Sequence, residues 1–479
     1  MTILGASVFI YLVAMIPVSF YASRFVKNSK DYVLAGRNLP FYMALATVFA
    51  TWFGSESILG ASSKMAEGGF LNVIEDPFGA GLCLILIGLF FAKKLYSLNH
   101  LTIGDYFAER YNKTVAMLLS IAITVTYFGW VAAQFVALGI IMQFVFGMSF
   151  INGLLVAAGV VVLYTYIGGM WSVVMHDLIQ TTIIILGLFA ILIEITYKIS
   201  IHDVIVATPP EFFNIIPEHT TKDWLAFIAA LMTIGLGSIP QQDVYQRAMS
   251  AKSADVSKWA AIVGGVLYFT IVLIPIFLGL AARALYPELV APGADSQLLI
   301  PTLIANNTNI FTQVIFYGAL LSAIMSTASG ALLAPATLLA ENIIKPFFPR
   351  VSDIRLLRFI KISILVISAG AILLAVKQGN IYELVGGAYS ITLVSAFVPL
   401  ATGLYLKKAN SLGAMFAMLL GALSWQYVEH FTDENFIVPS IIVGFLASIT
   451  GMLLGIIVER VVLNKKQTTG ENISVQMNN

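Results

Sequence analysis

Ser322, Ser326, Thr327 and Ser329 lie in one long apolar run, "ALLSAIMSTASGALLAPATLLAEN", from Ala319 to Asn342. A single hydroxyl in such a helix satisfies itself on a carbonyl one turn back, which accounts for Ser322 or Ser329. The adjacent pair Ser326 and Thr327 sets two hard oxygens around one helix flank. A small alkali cation needs several such oxygens, and a broken helix adds freed carbonyls to them. Asp177, in "WSVVMHDLIQ", is the second candidate. A carboxylate costs about 3 kcal/mol or more at the bilayer centre and marks function by default. The competing reading places Asp177 at a hydrated cytoplasmic boundary, because its span starts near Trp171. His176 beside it titrates near neutrality and leaves proton chemistry open. Glu56 follows the break in "ATWFGSESILG". Glu75 and Asp76, in "NVIEDPFGAG", face either the outer vestibule or the solute, the mouth being the favoured reading, and Lys64 and Glu67 lie at a solvated outer end.

These side chains need a membrane scaffold. Of the 479 residues, 59% are hydrophobic and 11% charged, where a soluble domain has roughly a quarter charged. Apolar runs of the ~20 residues that cross a bilayer recur from Ile3 to Val462. Thirteen candidate spans result, near 3–22, 41–66, 70–92, 114–147, 150–168, 171–197, 223–246, 257–285, 310–345, 355–377, 381–406, 411–430 and 436–463. The first is read as a retained span and not a signal peptide. Basic residues are held on the cytoplasmic side. With the N-terminus outside and the C-terminus inside, all of the 26 fall there except Lys64, Lys198, Lys222, Arg283 and Lys377. A net charge of +1 offers nothing to nucleic acid. The single cysteine, Cys83, excludes an internal disulfide and is read as a small core hydrophobe. No glycine-lysine phosphate loop supports ATP-driven pumping.

Two spans read as interrupted, the second at "ATWFGSESILGASS" and the seventh at "MTIGLGSIPQQDVYQR". Proline removes a backbone donor, and glycine tolerates unusual dihedrals. Irregular backbone at membrane depth survives only where it is buried in protein or lines a cavity. The breaks stand five spans apart, as inverted repeats over 41–197 and 223–406 would place them, and paired breaks point to a transporter's binding site. Glycines that simply permit close helix packing are the alternative.

"KDYVLAGRNLP", "GGMWSVVMHDLIQ", "QRAMSAKSA" and "IMSTASGALLAPATLLAENI" closely resemble the sodium:solute symporters. The resemblance runs along the chain to all but its last residues. It implies an all-α polytopic fold of the leucine-transporter type, with five plus five core helices in inverted repeat, one helix before and two after. It also implies a sodium site whose carbonyl ligands are Ala50, Phe53 and Ala323 and whose hydroxyl ligands are Ser326 and Thr327. Asp177 matches the family's aspartate, which orders those hydroxyls or serves a second sodium; His176 replaces the family's threonine.

Within that family, "ATWFGS" and "GWVAAQFVALG" set Trp52 and Trp130 on choline-transporter positions. Gln241 and Ala80 stand where two more aromatic residues are expected, so half of that cage is missing. Aromatic faces attract a quaternary ammonium through the ring quadrupole. Expected solute contacts are Trp52, Ser55, Glu56, Ser57, Trp130 and Gln241. The reading is a sodium-coupled symporter, not an enzyme. It takes a small organic solute across the cell membrane (inner or plasma) as a multi-pass protein in the lipid bilayer, by alternating access. Residues 1–466 form one transmembrane domain and 467–479 a short cytoplasmic tail; oligomeric state is left open. Proton-coupled and passive transport stand as alternatives. A sensor would need a signalling domain beyond that tail, and a channel would not require a cation cage.

Overall fold

Helices in this chain begin where the sequence offers a side-chain acceptor to the first unpaired backbone N–H groups. Asn112, Ser149, Thr220, Ser253, Asn309, Asn380 and Asn410 each cap a helix this way. The structure, a computed structural model, describes residues 2–217, 220–348, 350–377, 380–432 and 436–476, with side chains as far as Val461. Among the described residues it is helical with no strand ladder; one isolated parallel bridge joins Leu39 to Ala251.

In chain order the principal helices are α1 (Ile3–Ser23), α2 (Phe41–Trp52), α3 (Ala61–Gly68), α4 (Phe70–Leu98), α5 (Ile103–Arg110), α6 (Lys113–Phe146) and α7 (Phe150–Lys198). The second half continues with α8 (Thr221–Gly237), α9 (Gln242–Ser250), α10 (Ala254–Leu285), α11 (Ile310–Phe347), α12 (Asp353–Lys377), α13 (Ile381–Tyr405), α14 (Ser411–Phe431) and α15 (Ser440–Val461). The backbone helix that begins α15 runs on to Gln476, so much of the expected tail is helical; 477–479 lie outside the described residues. Ten of these helices are long and apolar enough to cross a membrane, and α8 with α9 form a pair bent by 49° that passes together.

Two other places depart from straight spans. The 49 residues of α7 would reach ~70 Å at 1.5 Å per residue, more than twice the hydrocarbon thickness. The run turns at Gly169, where φ is 53° and an added Cβ would lie 2.5 Å from the Tyr32 carbonyl. Only glycine fits both conditions. The other is the second predicted span. It stops at Trp52, unwinds through Phe53 and Gly54, and resumes as a wide turn over Glu56–Gly60 before α3. Both predicted interruptions are present.

The broken segments lie inside the bundle. Within their apolar windows, α11 is 67% buried but α1 only 28%, so α11 is central and α1 peripheral. Outward faces carry the apolar side chains a bilayer requires, such as Leu186, Ile193, Val266 and Leu373. Cys83 is fully buried, as a small hydrophobe should be.

Candidate functional site

The last turns of α2 meet the middle of α11 and the start of the second half of α7. Thr327 Oγ1 donates to the Ala50 carbonyl at 3.0 Å, and Ser326 Oγ lies 3.4 Å from the same oxygen. Ser326 also donates to Asp177 Oδ1 at 2.5 Å, and Thr47 donates to Asp177 Oδ2. One carboxylate thus holds a hydroxyl from α2 and one from α11. Asp177 is 0% exposed, which overturns the hydrated-boundary reading: packing of α1, α2 and α11 over this end of the helix excludes water. Ala323 lies one turn before Thr327 on α11, fully buried; Phe53 occupies the break itself, with φ −98° and ψ 72°, outside the helical region. His176 faces the other way. Its Nε2 lies 2.9 Å from the Met15 carbonyl on α1, and its ring meets Tyr164 edge-on. Nothing in that geometry brings His176 to the Asp177 carboxylate.

Ser322 and Ser329 follow the simple reading. Each donates to a carbonyl of its own helix, Gly318 at 2.7 Å and Ser326 at 2.8 Å. Tyr11 of α1 is a second partner for Ser322 at 2.6 Å.

Beyond the break lies an aromatic and acidic centre. Trp52 stacks on Tyr389 with ring centroids 6.1 Å apart, and Trp130 lies 5.8 Å from Tyr389 and 5.7 Å from Tyr127. Glu56 is buried beside this group, without a cationic partner among the described residues. It accepts from Gln134 Nε2 at 2.8 Å and, at 3.4 Å, from Trp130 Nε1 and Ser55 Oγ. The Ser55 amide in turn donates to Gln134 Oε1 at 3.1 Å, which anchors the broken segment to α6. Ser57 donates to the freed Trp52 carbonyl at 3.0 Å and touches the Tyr268 hydroxyl at 2.7 Å. Gln241 begins the lower half of the other broken pair. Its amide reaches Thr126 at 3.3 Å and Thr392 at 3.4 Å, while its Oε1 is buried and unpartnered. Thr392 also donates to the Gly237 carbonyl at 2.6 Å, satisfying the oxygen that the second break sets free.

Three expectations are corrected or extended. Asp76 is only 2% exposed, so it is not at a mouth; Tyr268 of α10 and Tyr382 of α13 close over it. Lys64 and Glu67 pair at 3.0 Å, about a quarter to a third exposed, as a solvated end requires. Trp52 and Trp130 share a third ring that sequence reasoning missed, Tyr389. Sequence reasoning passed over Asp243 of α9 and counted Arg247 among the cytoplasmic basic residues; both are buried, which corrects the placement of Arg247. Tyr127 donates to Asp243, while Arg247 reaches the carbonyls of Asp243 and Thr47. The intramembrane-charge rule that singled out Asp177 marks both of these positions too.

Discontinuous helices whose freed carbonyls meet hydroxyls and buried carboxylates inside an apolar bundle define a secondary membrane transporter. The sequence profile of the sodium:solute symporter family matches residues 32–421. The chain belongs to that family. It is 27% identical to a high-affinity choline transporter of Torpedo marmorata over 83% of this chain and 70% of the relative. It is 26% identical to a sodium/pantothenate symporter of Haemophilus influenzae over 93% and 95%, and 28% identical to an osmoregulated proline transporter of Bacillus subtilis over 94% of each. In fold it is similar to a sodium-coupled sialic acid symporter, with TM-score 0.84 at 20% identity over 96% of this chain and 98% of that one. A nucleobase-cation-symport-1 family transporter matches with TM-score 0.56 at 15% identity over 91% and 95%. These are leucine-transporter-type folds. Sodium is therefore the co-transported ion, and the protein is a multi-pass protein of the cell membrane.

Proposed function

We propose that this protein imports a small organic solute bearing a cationic nitrogen, driven by the sodium gradient through alternating access. The observation that carries the reading is the ring cluster of Trp52, Trp130 and Tyr389, joined through the Trp130 indole to the buried carboxylate of Glu56, which has no cationic partner among the described residues. Ring faces and a desolvated carboxylate both favour positive charge. Ser55, Ser57 and Gln241 frame the same region. Relatives that are high-affinity choline transporters, from Torpedo, Caenorhabditis elegans and Homo sapiens, support this solute class. Sodium occupies the crossing of α2 and α11, on the carbonyls of Ala50, Phe53 and Ala323 and the hydroxyls of Ser326 and Thr327, with Asp177 holding Ser326 and Thr47 in place. Thirteen spans with the N-terminus outside, repeats over 41–197 and 223–406, and a single domain over 1–466 complete the reading. The ten long helices and the bent α8–α9 pair support this reading, with α7 divided at Gly169 and α2 taken together with α3 as one broken span.

The test is uptake by purified protein in proteoliposomes with an imposed sodium gradient. A quaternary amine enters only with inward sodium, and a zwitterionic amino acid competes weakly. Equal competition by a carboxylate such as pantothenate removes the cationic-solute assignment, and uptake indifferent to sodium removes the coupling.

A further inference from the structure

The interior is not electrically balanced. Among the described residues it buries four carboxylates, Glu56, Asp76, Asp177 and Asp243, against one guanidinium, Arg247. Leaving a buried charge uncompensated costs several kcal/mol in general. Arg247 acts on Asp177 and Asp243 together. One sodium ion at Ser326 and Thr327 and one cationic solute at Glu56 supply two more positive charges. One carboxylate is left over, and its position identifies it. The charged groups that act on Asp76 are Glu56 and Glu75, both acidic. Its Oδ2 is buried without a partner, as is Glu75 Oε1.

We propose that Asp76, with Glu75, Ser57 and Tyr268, forms a second monovalent-cation site, separate from the one between α2 and α11. Tyr268 donates to Asp76 Oδ1 at 2.7 Å and lies 2.7 Å from Ser57 Oγ, so both hydroxyl oxygens stand beside the carboxylate. The same chain of contacts ends on the Trp52 carbonyl through Ser57 at 3.0 Å, at the lip of the break. Filling this site therefore acts on the backbone that carries Trp52 and the proposed sodium ligands. A chain of hydrogen bonds links Asp76 to an acidic cavity. The Tyr382 hydroxyl accepts from the Asp76 amide and donates to the Asn72 carbonyl, both at 3.3 Å. Asn72 lines an open cavity of about 580 Å³ that also carries Glu211 and Asp223, and an acidic rim concentrates cations. The occupant is a sodium ion or a proton; both meet the same unpaired oxygen.

The assay measures equilibrium binding of radioactive sodium to the purified full chain in detergent, with monodispersity checked for each variant. Wild type is expected to bind two ions per chain and Asp76→Asn one, since asparagine keeps the acceptor for Tyr268 and loses only the charge. Thr327→Ala is the independent arm: if it alone fails to lose an ion, the first site is misplaced while Asp76 stands. If wild type binds one ion, proton movement is followed in weakly buffered proteoliposomes during sodium-driven uptake. One proton per solute in wild type, absent in Asp76→Asn, identifies the proton as occupant. One sodium and no proton movement that depends on Asp76 overturns the proposal. Should Asp76→Asn not assemble, Tyr268→Phe keeps the ring and the carboxylate. It should weaken the second cation about tenfold, and unchanged binding of both cations overturns the site.

Discussion

Thr327 is proposed to give sodium one oxygen, and its removal can be separated from damage to the fold. Its hydroxyl donates to Ala50, so the lone pairs are free to face a cation. Losing a ligand to a charged group costs about 1.5–3 kcal/mol, and each 1.4 kcal/mol is about tenfold in affinity. Thr327→Ala should raise the half-saturating sodium concentration about tenfold or more, and Thr327→Ser should stay near wild type. Sodium titration of uptake measures both; an unaltered Thr327→Ala would place sodium elsewhere. Asp177→Asn acts through orientation, because one carboxylate now accepts from Ser326 and Thr47 and an amide accepts from only one side. Sodium activation should fall more than solute competition, and equal losses in both would contradict that role. Trp52 stacks on Tyr389 inside the bundle and does not face lipid. Trp52→Phe should therefore weaken the solute less than Trp52→Ala does.

The break after α2 depends on having no side chain at Gly54. A Cβ there would lie 2.6 and 2.9 Å from the two Glu56 carboxylate oxygens and 2.8 Å from Thr327 Oγ1. These contacts are too close for any real Cβ, so Gly54→Ala must displace the Glu56 carboxylate or the Thr327 hydroxyl. Uptake should drop at least about tenfold with membrane insertion intact. Gly159→Ala is the matched control, since a Cβ there meets nothing within 4 Å and uptake should not change. Because the proposed solute and sodium contacts share this one segment, each ligand should raise the affinity for the other by the same factor.

Orientation belongs to the whole chain and is open to a chemical test. With Cys83 replaced by serine, single cysteines at exposed Lys27 or Lys407 should react with a membrane-impermeant thiol reagent only from inside. Cysteines at exposed Glu211 or Asp295 should react only from outside. The reverse pattern would invert the topology, and with it the face on which the 580 Å³ cavity opens.

The linear order of residues was enough for the membrane spans, both interruptions and the paired hydroxyls, since each is a local property: apolar length, missing helix propensity, adjacent oxygens. The corner at Gly169 was equally legible as a gap between two apolar runs. Tertiary structure alone decided what covers each group. Asp76 looked like a mouth residue because no local pattern shows that tyrosines nearly two hundred and three hundred positions away close over it. Tyr389 meets Trp52 and Trp130 because α13 crosses the bundle beside the break. Gln134 meets Glu56 for the same reason: α6 passes the broken segment at that height. Periodicity shows that a face is buried, but the partner on that face is chosen by the packing of distant helices.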